Sequence, residues 1–157
     1  MAAAVLSLGM AALPLAIAPA ANAATSGNLG PCKVTAGKPY FNRLDPLTSK
    51  KWIYYPISAS CTRGGVQVHM RQIIQEDDPG NSNDVLKNWY TPTQDGKALQ
   101  FSAPGIKWVT PTLLLTSTGD EGGTAEEVFH RVQFWVTSNG LTQGPITVTS
   151  RNFSIWP

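Results

Sequence analysis

Alternation of apolar and polar residues runs through most of this chain and predicts β-strands. Successive side chains of a strand point to opposite faces, so every second residue shares a face. Turn-forming Gly, Pro, Asn and Asp separate the alternating segments, and no segment carries the stripe of an amphipathic helix. The predicted strands, eight in all, are 32–40, 51–61, 66–75, 86–91, 98–102, 110–117, 127–137 and 146–156.

Strands of this number and spacing predict an all-β fold, a single antiparallel immunoglobulin-like β-sandwich. The pattern is cleanest in 127–137, where every second residue from Val128 to Val136 is apolar except His130. In the last strand, Ile146 and Val148 lie on the opposite parity from Phe153 and Ile155. We therefore expect a bulge near Arg151 and Asn152.

The chain has two cysteines, Cys32 and Cys61. An even count in an exported protein favours a disulfide over a metal site or a catalytic thiol. Cys61 shares its predicted face with Ile53, Tyr55, Ile57 and Ala59, so its sulfur should lie among apolar side chains, where a thiol is inert. A disulfide that closes the loop from Cys32 to Cys61 should stabilise the fold by roughly 3–4 kcal/mol.

The first residues, 1–23, are uncharged, rich in Ala and Leu, and end in Ala21-Asn22-Ala23. This composition predicts a secretory signal peptide cleaved before Ala24, and one domain over 24–157. Pro14 and Pro19 interrupt the apolar run, which disfavours a membrane anchor. We therefore expect a secreted, extracellular protein without a membrane span.

The charge pattern excludes some partners. All 12 Lys and Arg and all 10 Asp and Glu lie after the predicted signal, so the domain carries a net charge of +2. A balance this close to neutral, without a basic cluster, does not predict nucleic-acid binding.

Residues for catalysis are sparse. The two histidines, His69 and His130, lie on different predicted strands, and no G-x-S-x-G or comparable nucleophile context appears. The sequence therefore predicts neither catalytic residues nor a cofactor. A hydrolase with an unrecognised site around either histidine remains a third hypothesis.

Two acidic loops are candidate ligand sites. The loop 76–84 offers oxygen ligands of the kind that calcium takes, from Asp77, Asp78, Asn81, Asn83 and Asp84. Its spacing does not match an EF-hand, and turn formation accounts for the same residues, so calcium is only a weak candidate. The second loop, 119–127, reads as a solvated hairpin tip.

Aromatic residues are the most suggestive feature. Five tryptophans are many for one small core, and several alternate away from the apolar faces. Exposed Trp and Tyr often mark interfaces or flat platforms for sugars, although packing under Lys and Arg stems is the other explanation. The candidate binding residues are Trp52, Trp89, Trp108, Phe129, Arg131 and Trp135.

Two pentapeptides share the pattern W-x-T-P-T, at 89–93 and 108–112. The match could mark a repeated hairpin edge or a recognition surface. Neither flank extends it, so coincidence in a chain rich in Thr and Pro is the favoured explanation.

A cysteine in the first strand, S-A-S-C ending the second, and V-Q-V-H-M-R-Q-I-I-Q after a Gly-Gly turn give a recognisable layout. It resembles the small two-cysteine secreted β-sandwich proteins of actinobacteria. The resemblance covers about half of the domain and implies the fold and an extracellular setting. Some such proteins act as adaptors in secreted toxin assemblies.

The leading functional hypothesis is non-catalytic binding of another secreted or cell-surface protein, as an adaptor or an inhibitor. Contact would be made through an edge strand or the face bearing Phe129, Arg131 and Trp135. For an inhibitor, the loop between Asp45 and Lys51 is the candidate. The alternative is a carbohydrate-binding module that stacks polysaccharide on Trp89, Trp108 or Trp135.

Overall fold

The computed structural model describes residues 25–77, 83–115 and 126–155, and in these ranges the chain is all β-strand and irregular structure, without a helix. The predicted signal peptide, 1–23, lies outside them. The described strands are β1 (Ser26–Leu29), β2 (Cys32–Ala36), β3 (Tyr40–Leu44), β4 (Lys51–Tyr54), β5 (Ile57–Cys61), β6 (Val66–Glu76), β7 (Val85–Tyr90), β8 (Leu99–Phe101), β9 (Gly105–Val109), β10 (Thr112–Leu114), β11 (Glu126–Ser138), β12 (Leu141–Thr149) and β13 (Phe153–Ile155).

Two small antiparallel sheets form what we call the first layer. One has the strand order β1-β2-β5-β9, and the other has the order β10-β4-β3. The chain runs from each sheet into the other, through β2 to β3, β4 to β5 and β9 to β10. Backbone hydrogen bonds join the sheets at these crossings, from Gly37 N to Pro56 O and from Tyr55 N to Pro111 O, each 2.9 Å. The first layer is therefore one sheet bent across its middle.

Prolines explain the bend. Pro39, Pro56 and Pro111 each stand where the chain passes from one small sheet to the other. Proline has no N–H to donate to a ladder and interrupts a strand. The predicted continuous strands 32–40 and 51–61 were wrong in this respect, because each is split in two.

The third sheet forms the second layer. Its strand order is β12-β11-β6-β7, with β13 also pairing β11 and β8 also pairing β6. The long central strands β6 and β11 run antiparallel in unbroken register from Val128 opposite Glu76 to Ser138 opposite Val66. The strand expected over 146–156 is interrupted at 150–152, where the bulge was predicted.

The inner faces of the two layers share the core. One apolar cluster joins Val34, Ile57 and Ala59 of the first layer to Met70 and Phe134 of the second, among others. A second cluster joins Ile53 and Tyr55 to Ile74, Val128 and Ile155. Both small sheets therefore pack against the same large sheet.

One side of this two-layer structure is closed and the other is open. On the closed side β1 contacts β12, and Thr25 N donates to Thr149 O at 3.0 Å. On the other side, β9 and β10 are the described edge of the first layer, and β7 and β8 that of the second.

The predicted disulfide is confirmed. Cys32 and Cys61 are bonded and 2% exposed. They face each other directly in the register of β2 and β5, so the bridge joins neighbouring strands of one sheet. The described strands and the bridge agree with the predicted all-β fold tied by one disulfide. The structure describes thirteen strands, whereas eight were predicted. The excess comes from the split strands and from β1 and β9, which lie outside every predicted range.

Candidate binding surfaces

Several large exposed apolar side chains lie on β3 and its loop. Four large side chains here are exposed, and we call them the β3 patch: Tyr40 (46%), Phe41 (47%), Leu44 (53%) and Leu47 (93%). Among the described residues β3 is an edge strand, paired only with β4. The adjacent aromatic residues Tyr40 and Phe41 point to opposite faces, so a strand cannot bury both against one core.

The loop that follows β3 is held by a single carboxylate. Asp45 Oδ1 accepts hydrogen bonds from Leu47 N (3.1 Å), Thr48 N (3.0 Å) and Thr48 Oγ1 (2.9 Å). Asp45 Oδ2 accepts a fourth from Trp52 Nε1 at 3.3 Å. The hydrogen bonds from Thr48, first its hydroxyl and then its N–H, lower the pKa of Asp45. Leu47 is therefore presented on a pre-formed turn.

The surroundings of the β3 patch are basic. The segment 38–51 contains Lys38, Arg43, Lys50 and Lys51 but only one acid, Asp45. Lys38 lies over the ring of Phe153, with its Nζ 5.9 Å from the ring centroid. An apolar patch with a basic rim favours contact with a surface that is apolar and acidic.

A cavity of the described residues forms a groove on the open side, which we call the seam groove. It has a volume of about 890 Å³ and brings both W-x-T-P-T pentapeptides together. Its lining residues are Trp89, Tyr90, Thr91, Pro92, Thr93, Gln94, Asp95, Gly96, Leu99, Trp108, Val109, Thr110, Pro111 and Thr112. The two pentapeptides have the same structural role, since each ends an edge strand at a Thr-Pro step.

The lining of the seam groove carries little charge, although the cationic side chains of Arg71, Lys87 and Lys107 border it. Asp95 is the one charged residue in its lining. Its carboxylate accepts a hydrogen bond from Lys97 N at 3.1 Å, the main cause of its lowered pKa, and lies 3.8 Å from Lys97 Nζ. The groove therefore presents aromatic rings, hydroxyls and amides with little net charge.

The outer face of the second layer carries the other predicted aromatic residues. Phe129, Arg131 and Trp135 alternate along β11 as expected, but Phe129 is only 5% exposed. Arg131 covers its ring, with Cζ 5.6 Å from the ring centroid. Trp135 is half-buried opposite His69. This face offers less free aromatic surface than the sequence pattern suggests.

The remaining predicted tryptophans are divided between the other surfaces. Trp89 and Trp108 both line the seam groove. Trp89 is half-buried against the second core cluster and lies under Lys87, whereas Trp108 is 71% exposed. Trp52 is half-buried and donates to Asp45, which places it beneath the loop of the β3 patch.

The two histidines lie on opposite faces of the second layer. His69 is exposed on the outer face, and His130 is completely buried on the inner face. His130 Nε2 lies 2.8 Å from Gly37 O, and its Nδ1 lies 2.7 Å from Gln72 Nε2. Since a carbonyl only accepts, Nε2 carries the proton and Nδ1 accepts from the amide. The structure thus keeps the two histidines apart and engages both ring nitrogens of His130.

The calcium candidates lie only partly within the described residues. Asp78 and Asn81 fall outside them. Asp77 accepts a hydrogen bond from Asn152 Nδ2, which also donates to Glu127 Oε2 at 2.9 Å. Within the described part of the chain, no group of three or more His, Cys, Asp or Glu side chains is arranged to hold a metal ion.

Comparison with known proteins does not assign a family: no protein-family model matches the chain, and no curated protein is significantly similar to it. The described part of the chain contains no helix that is long and apolar enough to cross a bilayer.

Sequence reasoning missed the β3 patch. The available signals were Pro39, which lies inside the predicted strand 32–40, and the adjacent aromatic pair Tyr40-Phe41.

Proposed function

We propose that this protein is a secreted, non-catalytic binding protein that docks another protein on the β3 patch. The observation that carries the proposal is the exposure of four large apolar side chains on one edge strand and its loop. In the register with β4, Phe41 and Leu44 share the face of Ile53, and exposed apolar side chains that lie together often mark an interaction surface. The pre-formed loop supports this role, because ordering a loop on binding would cost affinity.

The partner surface is expected to be apolar at its centre and acidic at its margin. Four basic residues and one acid in the segment 38–51 favour that charge. Their attraction acts mostly on the rate of association and is weakened by salt.

An adaptor suits this loop better than an inhibitor that enters an enzyme cleft as an extended strand. The N–H of Leu47 is already bound to Asp45, and Asp45 N donates to Lys50 O at 2.7 Å. These bonds hold the backbone in a turn and occupy groups that strand pairing would need. The resemblance to actinobacterial proteins implies that such an adaptor could belong to a secreted toxin assembly.

For the fold, we infer an immunoglobulin-like β-sandwich in its layering. Two facing antiparallel layers with a shared apolar core support this fold. The disulfide supports an extracellular setting. In antibody domains the bridge joins the two sheets. Here it joins neighbouring strands, so the likeness concerns the layers and not the position of the bridge.

The proposal is tested by finding a partner and mapping it. Tagged protein comprising 24–157 is incubated with culture fluid of the producing organism, and co-purifying polypeptides are identified by mass spectrometry. The partner is then titrated against the parent protein and against a Phe41→Ser/Leu47→Ser variant. Because buried apolar anchors dominate interface energies, we expect the variant to bind about tenfold or more weakly.

Leu141→Ser is the matched control, since Leu141 is also exposed but lies on β12. It should bind normally. Equal affinity of the parent and the β3-patch variant would overturn the assignment of this surface. Binding to anionic phospholipid vesicles without any polypeptide partner would also overturn it, in favour of a membrane surface.

A further inference from the structure

We propose that the seam groove is a second site, which binds a neutral oligosaccharide segment of a polysaccharide. This inference concerns a different surface from the β3 patch and does not depend on it. It starts from the observation that two identical W-x-T-P-T patterns, 19 residues apart in sequence, line one groove from opposite layers.

Two exposed aromatic residues are among those that line the groove. Trp108 and Tyr90 are each 71% exposed. Arg71 lies over the Tyr90 ring, with Cζ 5.3 Å from the ring centroid, and Arg71 Nε donates a 3.1 Å hydrogen bond to Asn88 Oδ1. Amphipathic Trp and Tyr rings offer a flat apolar face and a polar edge. The C–H face of a sugar ring packs well on such a surface.

The rest of the lining is rich in uncharged hydrogen-bonding groups. Threonine contributes at four positions and Gln94 at one, while the single carboxylate, Asp95, is engaged by Lys97. Hydroxyl and amide groups suit a ligand covered with hydroxyls, and the compensated charge suits a neutral one. The volume, about 890 Å³, is within the common range of ligand sites, roughly 300–1,000 Å³.

A polypeptide strand fits this groove less well, although two sheet edges border it. Pro111 and Pro92 remove backbone donors from the edges. Lys107 reaches across to Phe101 of the second layer, with Nζ 5.6 Å from the ring centroid. Lys107 pairs with buried Ala59 and so belongs to the inner face, where a charged side chain guards an edge against a further strand.

The test uses insoluble cellulose, chitin and peptidoglycan in sedimentation assays, and soluble xylan and mixed-linkage β-glucan in calorimetry. We expect binding to at least one of these probes. Trp108→Ala and Tyr90→Ala should each weaken it about tenfold, because each removes one stacking ring. Trp108→Phe should retain most of the affinity, and 0.5 M NaCl should change it little, since the ligand is neutral.

Ile106→Ala is the matched control, because Ile106 is exposed on the same strand but does not line the groove. It should bind normally, as should the Phe41→Ser/Leu47→Ser variant, which separates this site from the proposed protein-binding surface. The inference is overturned if none of the five polysaccharides binds. Binding that persists in both Trp108→Ala and Tyr90→Ala but is lost in Trp135→Ala would also overturn it, as would binding of proline-rich peptides alone.

Discussion

At the scale of single residues, the most informative group is the buried pair Gln72 and His130. On β6, Gln72 separates Met70 of one core cluster from Ile74 of the other, and His130 has the same position on β11. Their hydrogen bonds reach backbone oxygens at the bend of the first layer, Gly37 O at 2.8 Å and Tyr55 O at 3.4 Å. The pair therefore satisfies carbonyls left over where the strands break.

Acid should destabilise the protein through His130. Burial lowers the pKa of His130 from 6.5 to about 4, so the unfolded chain binds this proton more tightly than the folded one. The contribution of neutral His130 to the free energy of unfolding is present above pH 6.5 and is lost as the pH drops towards 4. We expect a loss of about 2 kcal/mol between pH 7 and pH 5. Urea unfolding at these two pH values measures it. In His130→Gln this part of the pH dependence should disappear, and an unchanged slope would contradict the assignment.

Two conservative substitutions near this pair should differ in their effects. The Tyr55 hydroxyl is buried and has no hydrogen-bond partner among the described residues, so Tyr55→Phe should change the unfolding free energy by less than about 1 kcal/mol. Gln72→Leu leaves Nδ1 of His130 without its donor and should cost about 1–3 kcal/mol. Thermal or urea unfolding compares them. A larger loss for Tyr55→Phe than for Gln72→Leu would refute this account.

At the scale of elements, the bend of the first layer depends on close packing at Gly37. A Cβ added there would lie 2.9 Å from Pro56 Cγ and 3.3 Å from Pro56 O. The proline ring is rigid, so the two crossing strands would have to separate. The same crossing carries the hydrogen bond from Gly37 N to Pro56 O.

Gly37→Ala should accordingly destabilise the protein by about 1–3 kcal/mol, because the added methyl group overpacks the bend. Gly105→Ala is the matched control, since nothing lies within 4 Å of its added Cβ. The control should change stability by about 0.5 kcal/mol or less. Urea unfolding of both variants decides the matter, and equal effects would show that the bend has room to relax.

At the scale of the whole molecule, the disulfide ties β2 to β5 in the sheet that also carries β9 and the seam groove. Replacing both cysteines by serine should lower the free energy of unfolding by roughly 3 kcal/mol, because a loop of 29 residues is released in the unfolded chain. Denaturant unfolding of the variant, and of the parent protein with reductant, should agree. A loss below about 1 kcal/mol would mean that the sheet holds without the bridge.

The sequence by itself determined the all-β class, the pairing of Cys32 with Cys61, and the inner face of β11 from Val128 to Val136. These features follow from alternation and from a count of two cysteines, both of which are local or combinatorially simple. The change of parity also located an irregularity near Arg151 and Asn152, although the structure has a break between β12 and β13 there and not the predicted bulge within one strand.

Only the tertiary structure decided the surfaces. Alternation shows which face of a strand is apolar but not which strand lies at an edge, so the exposure of Tyr40 and Phe41 on β3 could not be read from the pattern. Likewise, the sequence favoured coincidence for the two W-x-T-P-T matches, whereas the open side of the two layers brings both to one groove. Edges and grooves arise from pairing between segments far apart in sequence. Local alternation does not indicate which segments pair.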